Sequence, residues 1–84
     1  MEEPVTHQAE AATTLDLEGL KCPLPVLRTR KAMADLPPGA LIRVIATDPM
    51  ASVDLPHFCA EAGHTLEARH QDGERLIFLI RRCG

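Results

Sequence analysis

The chain has 84 residues, room for one domain, and its 45% apolar and 25% charged shares are those of an ordinary globular protein. Nine basic side chains against twelve acidic ones leave a formal charge of −3, and the only aromatic residues are two phenylalanines. Both facts argue against direct nucleic-acid binding, which draws on positive surface and on rings that stack bases. No stretch reads as a secretory signal, and the longest apolar run, Leu76 to Ile80, is too short to cross a bilayer. A cytoplasmic location without membrane association is expected, and there thiols stay reduced.

Residues 1–13 lack a usable periodicity and read as a flexible tail before a single domain over 14–84. Thr14 to Glu18 alternates as a short strand with Leu15 and Leu17 on one face, ended by Gly19. After Cys22-Pro23-Leu24-Pro25, apolar residues at 26, 27, 33 and 34 predict a helix with Arg28, Lys31 and Asp35 outward. Leu36-Pro37-Pro38-Gly39 stops it, since proline can neither donate the next hydrogen bond nor let the residue before it stay helical. Ala40 to Thr47 is almost continuously aliphatic, as in a strand buried on both faces. Leu55, Phe58, Cys59 and Ala62 then mark one stripe of a second helix ending at Gly63. Its start is open between Ser52 and Asp54 as N-cap, with Pro56 favouring the later one. His64 to His70 and Arg75 to Arg82 read as strands joined by a hairpin turn built on Asp72-Gly73. Leu66 and Ala68 face inward there against Glu67 and Arg69, and Leu76, Phe78 and Ile80 join the core. That leaves Ile77 and Leu79 on the other face, lining a partner surface or tolerated as apolar exposure.

The order β-α-β-α-β-β, with short connections, predicts a two-layer α/β (α+β) sandwich: a four-stranded sheet with two helices on one face.

The chemistry concentrates at Lys21-Cys22-Pro23-Leu24-Pro25. If Cys22 is the N-cap, Pro23 falls at N1, where its fixed φ is helical and its missing N–H has no partner to lose. The positive end of the helix dipole and Lys21 then both favour a thiolate, so the expected Cys22 is acidic and nucleophilic. Prolines at N1 and N3 remove two N–H donors, which suits one exposed sulfur better than a phosphate. No Cys-x-x-Cys pair is present, which disfavours a dithiol oxidoreductase. The plain alternative is a small buried hydrophobe near a turn. Cys59, on the second helix's apolar stripe, reads as core, and Cys83 as an exposed bystander. His57, Cys59, His64 and His70 match no zinc-ligand spacing, so no metal is expected, and no cofactor. The Arg30/Lys31 and Arg81/Arg82 pairs are solvated faces or a docking patch for an acidic partner.

Residues Leu15 to Pro25, then Pro38-Gly39, Asp48-Pro49, Asp54-Leu55-Pro56 and Phe58-Cys59, resemble the TusA/SirA family of small sulfur-carrier proteins. The resemblance spans residues 14–84 and implies the same β-α-β-α-β-β sandwich with a mixed sheet. It also implies that Cys22 accepts sulfane sulfur as a persulfide, with Lys21, Pro23, Pro25 and Asp48 in support. The partners it implies are a cysteine desulfurase or other persulfide donor, and a downstream acceptor protein. A monomeric, stoichiometric sulfurtransferase is the expected working form, serving tRNA thiolation, sulfur oxidation or cofactor sulfuration. Two departures bear on the pathway: Leu24 stands at a motif position that is acidic in the tRNA-thiolation members, and Cys83-Gly84 replaces their terminal glycine pair. The alternatives are a regulatory or interaction module without sulfur transfer, and a single-thiol redox protein.

Overall fold

Six elements follow one another in the expected order in the computed structural model, which describes residues 13–83. They are β1 (Thr13–Leu17), α1 (Leu24–Ala34), β2 (Leu41–Ala46), α2 (Ala51–Ala62), β3 (Thr65–Asp72) and β4 (Arg75–Arg81). The tail expected over 1–13 lies outside the described residues except for Thr13, which opens β1. The sheet runs β1-β2-β4-β3, with β1 and β2 parallel and the other pairs antiparallel, so it is mixed. Both helices cover one face, over a core of Leu17, Met33, Val44, Leu55, Phe58, Phe78 and Ile80.

β2 is the central strand, and five of its six residues are buried. Ile42, Val44 and Ala46 meet the helices; Leu41 and Ile45 point to the helix-free face, yet they too are buried. Across that face Ile45 pairs with Ile77, and Arg43 with Leu79. Ile77 and Leu79 are therefore half-buried in an apolar row.

The helices correct the expected faces in detail. Pro25, Thr29 and Met33 form the buried stripe of α1, an i, i+4, i+8 row, while Leu27 and Ala34 are exposed. In α2 the buried positions are Ala51, Leu55, Phe58 and Cys59, with Ala62 exposed. α2 also starts earlier than Pro56 suggested, so that this proline lies inside the helix. A proline there cannot bond the carbonyl four residues back, which is that of Ser52. Arg69 donates to that oxygen instead, Nη2 to O at 3.2 Å.

Arg69 reaches it because β3 departs from simple alternation. A bulge between Leu66 and Ala68 lets Leu66 pair with Ile80, Ala68 with Leu79, and Arg69 with Phe78. The extra residue reverses the faces beyond it. Ala68 is thus exposed rather than inward, and Arg69 turns toward the helices, its guanidinium 5.8 Å from the Phe78 ring centre. Glu67, the bulged residue, holds Arg81 of β4 through Oε2 and Nε at 2.5 Å. That bond holds its carboxyl below the usual carboxylate range. The β3–β4 turn is Gly73-Glu74, one residue later than Asp72-Gly73, and Asp72 pairs with Arg75. Gly73 has φ +62° and Glu74 a negative φ, so glycine sits where a tight hairpin turn needs the left-handed conformation.

Arg82 ties the sheet to the far end of α1. Its Nη1 donates to the carbonyls of Met33 and Ala34 in the last turn and of Leu36 just beyond, where a cation suits the negative end of the helix.

Candidate functional site

Cys22 lies in the loop between β1 and α1, one residue before the position that begins the helix. The cap is Pro23, not Cys22, which puts Pro25 at the second helical position rather than the third. The Leu24 N–H bonds back to the Lys21 carbonyl at 2.8 Å, and the Leu27 N–H to Pro23 at 3.1 Å. The first bond turns a helix-start donor back on the loop, and the second is the first bond of the helix itself. The Cys22–Pro23 peptide is cis.

The loop is held from the other side of the molecule. The Gly19 N–H donates to Thr47 Oγ1 at 2.8 Å, and the Cys22 N–H to Asp48 Oδ2 at 2.5 Å. Asp48 Oδ1 takes the Met50 N–H at 3.2 Å, and the Asp48 carbonyl takes that of Ala51 at 2.9 Å. One carboxylate therefore holds the turn that leads into α2 and pins the backbone of Cys22. Asp54, in the first turn of α2, accepts the Cys22 thiol proton, Sγ to Oδ2 at 3.3 Å.

This corrects the expected electrostatics. The Cys22 thiol is pushed above its ordinary value, first by its hydrogen bond to Asp54, then by burial and by the charges of Asp54 and Asp48. The charges acting on the sulfur are these two carboxylates and not Lys21. A lowered value needed an exposed dipole end and a free cation. Lys21 is exposed but does not act on the sulfur, and the Leu24 N–H is turned back on the loop.

The structure thus brings Cys22, Pro23 and Asp48 together, with Pro25 buried beneath them on α1 and Lys21 exposed beside the thiol. The Asp54 contact is the one the sequence does not announce: the spacing offers Asp54 as a helix cap, and its contact with Cys22 spans 32 residues. A groove of about 300 Å³ between α1 and α2 opens at Cys22 and is lined further on by Val26, Arg30, His57 and Phe58. Arg30 lies over the Phe58 ring, 4.9 Å from its centre, and His57 sits 3.7 Å from Glu61. A larger hollow of about 500 Å³, lined by Thr47, Ser52, Gln71 and Glu74 among others, has no thiol, so size does not locate the site. Around Cys22, at the starts of both helices, Leu24, Leu27, Met50 and Val53 are exposed, Val53 by 59%. A signal for one of the four was available: Leu27 belongs to the apolar stripe expected of α1, and the fold leaves it outside.

The other thiols sit elsewhere. Cys59 is 2% exposed, and burial pushes its thiol up. Cys83 is exposed at the chain's end, its sulfur 3.2 Å from Thr65 Oγ1 and its N–H on His64 Nδ1. All three are free cysteines. No cluster of three or more His, Cys, Asp or Glu among the described residues is placed to hold a metal ion.

A family model described as sulfurtransferase TusA matches residues 13–82. The chain belongs to the TusA family. Sulfur carrier protein TusA of Pseudomonas aeruginosa is 40% identical over 78 residues, which cover 93% of this chain and 96% of that protein. Sulfur carrier protein TusA of Pseudomonas syringae pv. tomato is 40% identical over 82 residues, covering 98% and 96%. The crystal structure of a SirA-like protein from Desulfitobacterium hafniense superposes with a TM-score of 0.74 at 26% identity, over 86% of this chain and 99% of that one. The TusA/SirA resemblance and the two-layer fold that it implied both hold.

Proposed function

We propose that this sulfur carrier takes its cargo on Cys22, as a persulfide, from one protein and passes it to another. The observation that carries this reading is the placing of Cys22. It is an exposed thiol whose backbone is pinned by Asp48 and whose sulfur opens on the groove between the helices. Cys59 is buried, and Cys83, two residues past β4, has its sulfur against Thr65 Oγ1.

Acceptance is a thiol–persulfide exchange. The Cys22 sulfur, once deprotonated, attacks the outer sulfur of a donor persulfide R–S–SH. A new Sγ–S bond forms as the donor S–S bond breaks, and the donor leaves as a thiol carrying the proton. The transferred sulfur keeps its oxidation level, and no cofactor enters the balance. Delivery is the same exchange, with an acceptor thiolate attacking the outer sulfur of Cys22–S–SH.

The donor is a cysteine desulfurase or another persulfide-bearing protein, and the acceptor a protein of tRNA thiolation, sulfur oxidation or cofactor sulfuration. Leu24, Leu27, Met50 and Val53 give such partners apolar surface beside the sulfur, of the kind that anchors protein contacts. Pro23 and Pro25 stiffen the presenting loop, and Lys21 offers a positive contact at its rim. We place the carrier in the cytoplasm, as a monomer, where a reducing milieu keeps such a thiol free. Among the described residues no helix is long and apolar enough to cross a membrane.

Mass spectrometry after incubation with a cysteine desulfurase and cysteine tests the reading. Wild-type protein gains a sulfur atom on the peptide holding Cys22, and Cys22→Ser gains none there. Equal gain by the two proteins, or none by wild type, overturns it.

A further inference from the structure

Asp54 is the one side chain among the described residues that hydrogen-bonds the Cys22 sulfur. It stands in the first turn of α2, half-buried, one helical turn before the buried Phe58, so that its carboxylate faces the groove. We propose that Asp54 is a positioning residue for sulfur transfer: it holds the thiol proton of the empty carrier and turns Sγ into the groove, so that the sulfur attacks only once that proton is drawn off. The proposal rests on Cys22 being the residue that carries the sulfur.

The charges around the thiol leave this role to Asp54. On α2, His57 lies beside Glu61, and on α1 Arg30 is laid over the Phe58 ring. In the β2–α2 loop, Asp48 is committed to the N–H groups of Cys22 and Met50. Lys21 adjoins Cys22 in the chain but is not among the charges that act on its sulfur. Asp54 has no cationic partner among the described residues, so its lone pairs are free to accept the S–H. Removing the proton leaves a thiolate facing two carboxylates, which their fields resist, and the raised thiol value follows from the same contacts. The thiolate, not the thiol, reacts with alkylating agents and oxidants. The empty carrier is thereby protected from both.

In the acceptance step a base takes the Cys22 proton and Sγ leaves Asp54. Its electron pair forms the bond to the donor's outer sulfur, and the displaced donor thiolate takes up a proton. Nothing is oxidised or reduced overall. Asp54 sets how much thiolate exists to begin this step, and hence its pH dependence.

The experiment compares full-length wild type with Asp54→Asn, Asp54→Glu and Asp48→Asn. Alkylation of Cys22 by iodoacetamide is followed across pH by peptide mass spectrometry, with circular dichroism to confirm folding. Asp54→Asn is expected to move the midpoint to lower pH and speed alkylation several-fold at neutral pH. Asp54→Glu, which keeps the charge, is expected to restore most of the wild-type profile, and Asp48→Asn to shift it less than Asp54→Asn does. If Asp54→Asn fails to fold, Asp54→Ser takes its place. A profile unchanged by loss of the Asp54 carboxylate overturns the proposal. An equal shift from Asp48→Asn also overturns it, because the effect is then general field and not the Sγ–H···Oδ2 contact. Loading with glutathione persulfide separates this failure from the other. Wild type that gains no sulfur at Cys22 sinks the carrier reading, whatever alkylation shows. Loaded wild type with an unshifted Asp54→Asn profile sinks the role of Asp54 alone.

Discussion

The two ends of the helix pair are closed by opposite means. At the C-terminal end of α1 a single guanidinium, that of Arg82, gathers the carbonyls of Met33, Ala34 and Leu36. At the start of both helices two carboxylates, Asp48 and Asp54, gather the N–H and S–H of Cys22 before α1 and the N–H of Met50 before α2. Each arrangement follows the helix dipole, with a cation at the carbonyl end and acids at the amide end. The difference lies in what each end also holds. Arg82 is partly buried and binds only backbone, whereas the acidic end includes an exposed sulfur. One end serves stability, and the other holds the thiol on which the proposed transfer depends.

That contrast breaks first at Arg82. Arg82→Ala is expected to cost about 2–3 kcal/mol, because three carbonyls lose a charged donor at once. Denaturant unfolding measures the loss. The pH profile of Cys22 alkylation should not move, and a moved profile would mean that the two ends are coupled.

Asp48→Ala comes next, at about 1–2 kcal/mol, since it frees the N–H groups of Cys22 and Met50 at a helix start. Unlike Arg82→Ala it should also slow sulfur loading, by releasing the loop that presents the thiol. Loss of stability without loss of loading would make Asp48 a cap and nothing more.

The smallest effect belongs to His64, beside Arg82. Burial and then the Arg82 charge push its imidazole below the ordinary histidine value of 6.5. Folding therefore favours neutral His64. Its contribution is complete above the unfolded value and is lost as the pH falls through the lower folded one. Unfolding measured at neutral pH and near pH 5 should show this loss in wild type and a flatter dependence in His64→Gln. An NMR titration should place His64 below a histidine in a free peptide.

Element order, the buried strand β2, the packed Cys59 and the exposed position of Cys22 before α1 were legible in the chain. Each depends on spacing over a few residues. Asp48 came only through the family resemblance and the Asp54 contact not at all, because these carboxylates reach Cys22 across 26 and 32 residues. Local rules put Lys21 and a helix end beside the sulfur; tertiary contacts replaced both. The start of α2 was misjudged for the same kind of reason. Pro56 argues for a later start only while nothing else satisfies the Ser52 carbonyl, and Arg69 does so from another layer. The faces of β3 went wrong at Glu67, because alternation cannot reveal an extra residue inside a strand.

The bulge also joins positions that look independent. Deleting Glu67 would return Arg69 to the helix-free face, strip the Ser52 carbonyl of its donor and leave Pro56 as an uncompensated helix breaker. Pro56, the inserted Glu67 and Arg69 are therefore one mechanical unit, in which losing any member leaves the others without their purpose. Because α2 also carries Asp54, a change in the distant strand can disturb the sulfur site without touching any residue that lines it.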